Sequence, residues 1–200
     1  MNHSSKRVLI NDLTPKELLV NVYISQGFFI VIAAVIAWFF HVPFPWNNEI
    51  SLTSTGFLLG GITGLLFPFL SIILKKRIPD HYLDDGGIND KIFSSLSYPH
   101  IFILTLIIAF AEEWLFRGVL QSLLGLMITS LMFSLLHVRY IKKPLLLGIV
   151  TLLSFWLGLI YEWTESIWIP FLAHFLIDFI SGCWIAKEHR RAKEDNEKGE

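Results

Sequence analysis

Ala111–Glu112–Glu113–Trp114–Leu115–Phe116–Arg117 places three ionisable side chains within about a turn and a half of a helix. Its flanks are apolar. Ile101–Phe110 precedes it, and in Gly118–Leu131 only Gln121, Ser122, Thr129 and Ser130 are polar. Such a segment belongs in a bilayer, where charges are costly and turn toward a bundle interior or a water-filled cavity, so the stretch reads as a functional site. The competing structural reading is an ion pair between helices.

The bulk numbers support a membrane setting. The chain has 200 residues, 54% hydrophobic, 14% aromatic and 16% charged, with a mean hydropathy of +0.57. Soluble domains carry about 25% charged residues. A net charge of −1 gives no basic footprint for nucleic acid. Cys183, the single cysteine, excludes an internal disulfide framework and a multi-Cys zinc site. The first apolar run is too long for a signal-peptide core and reads as a retained span.

Outward from the quoted stretch, six apolar runs are predicted as spans: Leu18–Phe40, Gly56–Leu74, Ser97–Leu124, Leu126–His137, Leu145–Ile160 and Ile167–Ala186. Gly125 is the hinge between the third and fourth. Pro43, Pro45 and Trp46 mark a loop, and Asp84–Asp85–Gly86–Gly87 a turn. Of the 16 Lys and Arg, all but Arg117 fall in the N-terminal tail, the 75–96 and 138–144 connections, or the C-terminal tail. By the positive-inside rule those segments are cytoplasmic. The expected organisation is an all-α, polytopic transmembrane helix bundle of about six spans with both termini cytoplasmic. It comprises a tail at 1–17, the bundle at 18–186 and a charged tail at 187–200. The expected location is the cell membrane. A closed β-barrel is excluded by the continuous apolar runs.

The other membrane-embedded ionisable residues are His137, His174 and Asp178. His174 and Asp178 are four apart and share a helix face. Glu112 precedes the Gly125 turn by about as many residues as His137 follows it. Both should lie roughly 18–20 Å from that end of a helical hairpin. His174 and Asp178 should lie roughly 12 and 18 Å beyond the turn at Ser166. Four side chains from three spans reach one level. On the third span Arg117 falls near the azimuth of Glu113, and Glu112 points about 100° away. Glu113 and Arg117 are expected to pair within the helix, leaving Glu112 free to face His137 and His174.

Glu112–Glu113–x–x–x–Arg117, Phe133–x–x–x–His137 and His174–x–x–x–Asp178 resemble, in order and spacing, the three motifs of the CPBP family, the CAAX-protease and bacteriocin-processing membrane endopeptidases also called Abi. The resemblance covers the core 97–179. It implies an all-helical intramembrane protease acting on a membrane-associated peptide or protein near the membrane surface. It further implies that Glu112 activates water with help from His137, that His174 and Asp178 stabilise an oxyanion or bind metal, and that Glu113 and Arg117 hold the site together. Two chemistries stay open. Glu112, His137, His174 and Asp178 could form a zinc shell with an open water position, or could act metal-free as base and hydrogen-bond donors. One departure stands out: Asp178 occupies a position more often Asn in this family, and an ionised Asp cannot donate to an oxyanion. Two rival classes are a non-catalytic membrane binding protein, as in bacteriocin self-immunity, and a proton-coupled transporter. The absence of an internal repeat speaks against the transporter.

Overall fold

The computed structural model describes residues 13–44, 54–83 and 85–199. The expected tail cations Lys6 and Arg7, the loop residues Pro45 and Trp46, and Asp84 of the turn lie outside them. The described elements are α1 (Pro15–Phe40), α2 (Ser54–Arg77), a single turn at Asp80–Leu83, α3 (Ile88–Ser94), α4 (Tyr98–Glu113), a π-helical segment (Trp114–Gln121), α5 (Ser122–Leu136), a 3-10 turn (Val138–Tyr140), α6 (Pro144–Thr164) and α7 (Trp168–Gly199).

Thr14 and Glu17 start α1 with a reciprocal capping box, and Pro15 supplies the preset first helical φ. Beyond it, Ile24, Phe28, Val31, Val35 and Trp38 are each more than half exposed. Water would not tolerate that stripe; lipid does. Five helices are long and apolar enough to cross a membrane, with Tyr98–Leu136 counted as one.

That long helix is folded on itself. Gly125 has φ 78° and ψ 168°, inside what is otherwise helix. Phe116 and Phe133 would be about 25 Å apart on a straight helix, yet their ring centroids are 4.9 Å apart. The fourth apolar run is therefore a return leg antiparallel to the π segment. It corrects the expectation of six full crossings: Leu126–Leu136 rises only about 16 Å, roughly half the hydrocarbon core. A side chain at residue 125 would be held in a backbone region open essentially to glycine alone. Gly125→Ala is expected to destabilise the protein by about 1–3 kcal/mol, read as a lower thermal midpoint in detergent.

Registers between helices set the rest. Arg117 reaches Ser154, and Gln121 reaches the Gly158 carbonyl, so α6 runs parallel to the π segment. Glu113 meets His174, and Phe102 meets Phe175 and Phe179, so α7 runs antiparallel to α4. Gly60 and Gly64 let α2 approach α7. A Cβ on Gly64 would come within 2.6 Å of Leu176. This small-residue stripe serves packing inside the bundle. Leu18 and Ala186 share a buried cluster with Ile92 and Leu96, which brings the start of α1 and the Ala186 region of α7 to one end of the bundle. The charged tail continues α7 as helix to Gly199. There Arg190 donates to the Leu96 carbonyl at 2.9 Å and lies over the Tyr98 ring.

Candidate active site

Glu113 and Arg117 form the buried anchor. Arg117 Nε donates to Glu113 Oε2 at 3.1 Å, and neither side chain has any exposed surface. Arg117 Nη2 donates to Ser154 Oγ at 3.1 Å, and the guanidinium lies 5.4 Å from the Phe133 ring centroid. Two charges in an apolar interior are tolerable because Nε meets a carboxylate, Nη2 a hydroxyl and the guanidinium plane a π face, while Nη1 is buried without a hydrogen-bond partner. The intrahelical pairing expected from the i, i+4 spacing is present. The helix there is π-helical, a wider winding that often marks functional positions.

The second oxygen of Glu113 ties this anchor to α7. Glu113 Oε1 lies 2.8 Å from His174 Nδ1. A carboxylate can only accept, so Nδ1 carries the proton. His174 Nε2 then faces Asp178 Oδ2 at 3.5 Å and Glu112 Oε2 at 3.9 Å. His174 thus sits between the two glutamates, with its short contact to Glu113 rather than to Glu112. His137, just past α5, has Nδ1 3.0 Å from the Phe133 carbonyl. That carbonyl also only accepts, so the neutral ring presents Nε2 as a free acceptor.

Glu112, His137, His174 and Asp178 all line one cavity of about 510 Å³. It reaches Asn89, Arg139 and Tyr140 at the end of the bundle where α1 begins. Arg139 contacts Asp85 at 3.7 Å and Asn89 at 3.3 Å, tying the segment after His137 to the α3 region. The four residues placed at one depth by sequence do meet. Phe133 touches Phe116, His137 and His174 and carries the Arg117 cation. Trp114 instead packs between Phe44 and Phe110, within a hydrophobic cluster.

Two partners were not visible as motif residues. Gln26 on α1 donates from Nε2 to Glu112 Oε1 at 3.2 Å. Ser154 on α6 accepts from Arg117. The only sequence signal for Gln26 is an amide in the middle of an apolar span.

Among the described residues, no group of three or more His, Cys, Asp or Glu is arranged to hold a metal ion. His174 Nδ1 is committed to Glu113 and His137 Nδ1 to a carbonyl.

The class defined by this fold and site is an all-helical membrane bundle with a carboxylate–histidine centre in a cavity between helices. Residues 94–180 match the model of the Rce1-like family, type II CAAX prenyl endopeptidase, so this core of the chain is similar to that family. The chain is also 58% identical over 123 residues to the uncharacterised protein YpbD of Bacillus subtilis (strain 168). The alignment covers 61% of this chain and spans about 65% of the length of that relative. No solved structure matches the chain. With five apolar helices and this match to a membrane-protease family, the protein is a multi-pass membrane protein.

Proposed function

We propose that the protein is an intramembrane endopeptidase that hydrolyses a peptide bond of a membrane-associated peptide or protein, close to the cytoplasmic face. The observation that carries this reading is the convergence of Glu112, His137, His174 and Asp178 on one cavity. The Lys and Arg distribution supports a cytoplasmic opening for it.

Glu112 is the general base. It takes a proton from water as the oxygen adds to the scissile carbonyl carbon. His137, with Nδ1 held by the Phe133 carbonyl, offers Nε2 as a second acceptor that orients the water. His174 is fixed at Nδ1 by Glu113 and directs Nε2 into the site. With a proton on Nε2 it donates to the carbonyl oxygen as negative charge develops there. Asp178 orients that proton rather than donating one itself. As the C–N bond breaks, Glu112 returns its proton to the leaving amine.

Incubating the purified protein with membrane-anchored peptides, with products identified by mass spectrometry, tests this reading. Metal content is read on the same sample. The glutamate mechanism predicts cleavage that survives a strong chelator, with metal well below one per chain. Near-stoichiometric zinc together with chelator-sensitive cleavage would replace it with metal-assisted hydrolysis on the same residues.

A further inference from the structure

We propose that Gln26, on the first span and outside the family-matched segment, is a positioning residue for Glu112. The proposal rests on the reading of Glu112 as the base.

Gln26 is 5% exposed, on α1. Its Nε2 donates to Glu112 Oε1, while its own Oε1 is buried with no hydrogen-bond partner. A half-satisfied amide is a poor way to fill space. An apolar side chain of similar length would pack there without an orphaned carbonyl oxygen. What the amide gives in return is specific to Glu112. The terminal torsion of a glutamate is broad and roughly two-fold, so packing alone fixes it poorly. The amide pins Oε1 from α1 and leaves Oε2 toward the His174 side. The other ionisable groups facing Glu112 are His174 and Asp178 on α7 and His137 after α5, all on the same cavity. Gln26 is uncharged and reaches Glu112 from a different helix. Leu18, Val22, Ser25 and Gln26 follow the 3.6-residue repeat along α1 and line the cavity too, so the first span forms a wall of the site as well as a strut for its base.

The test is Gln26→Met, which keeps length and volume but removes the donor. Three quantities are read on full-length protein in detergent: the thermal midpoint, kcat and KM on a peptide the wild type cleaves, and the rate at which a hydrophobic carbodiimide modifies Glu112. Loss of the signal in Glu112→Gln assigns that modification. A positioning role predicts a midpoint equal to or above wild type, kcat lower by about 10- to 100-fold, a nearly unchanged KM and faster modification of Glu112. A lower midpoint with unchanged kcat and modification rate would make Gln26 a packing residue and overturn the proposal. If the wild type cleaves no peptide, the endopeptidase reading fails separately. The modification rate then decides alone: faster labelling upholds the hold of Gln26 on Glu112, and an unchanged rate refutes it.

Discussion

Arg117→Ala is expected to cost about 3–5 kcal/mol of stability, the largest loss predicted for any single substitution here. The reason is the charge left behind. Glu113 is fully buried and would keep only His174 as a partner, while Ser154 and the Phe133 face would lose the guanidinium. A buried pair is a weak net stabiliser when intact and a strong destabiliser when half removed. The double variant Glu113→Gln with Arg117→Met should therefore lose less than Arg117→Ala alone, because no uncompensated charge remains. Arg117→Lys keeps the charge but not the fork that reaches Glu113 and Ser154 together, and should fall between. Thermal midpoints in detergent, or the denaturant dose for unfolding from mixed micelles, give the order. An Arg117→Ala midpoint equal to wild type would contradict the anchor assigned to this pair.

Glu112→Gln is expected to have the opposite profile, with a large loss of rate and little loss of stability. The amide can still accept from Gln26 at its oxygen and fills the same volume. It cannot take a proton from water. General-base catalysis contributes typically 10²–10⁴ in rate, so a fall of about that size in kcat is expected. Because Glu112 is proposed to act in bond making rather than in holding the substrate, KM should change much less. A parallel collapse of the thermal midpoint would instead assign Glu112 to the fold.

These two glutamates also mark how far the sequence could be read. Glu113–Arg117 is legible because i, i+4 spacing brings side chains together on any helix, π-wound or not. The common depth of Glu112 and His137 is legible because Gly125 interrupts an apolar run and residue counting on either leg gives equal distances. What counting apolar residues cannot tell is whether the second leg crosses. Leu126–Leu136 is as hydrophobic as a span but too short to be one. The rotation of α7 against α4 is also beyond local pattern. The four-residue spacing predicts that His174 and Asp178 share a face. Only the antiparallel register gives Nδ1 to Glu113 and leaves Nε2 between Asp178 and Glu112. Gln26 and Ser154 lie farther still from legibility. Each is a polar residue in a largely apolar helix, and its meaning comes from a partner on another helix 86 or 37 residues away. Tertiary packing creates those contacts, and no spacing rule anticipates them.

The most direct test of the central claim is peptide hydrolysis by wild type and Glu112→Gln, purified in parallel and matched for thermal midpoint, against one broad set of membrane-anchored peptides. The account predicts defined cleavage products from the wild type and a loss of at least about 10² in rate from the variant. Equal cleavage by the two folded proteins would contradict it.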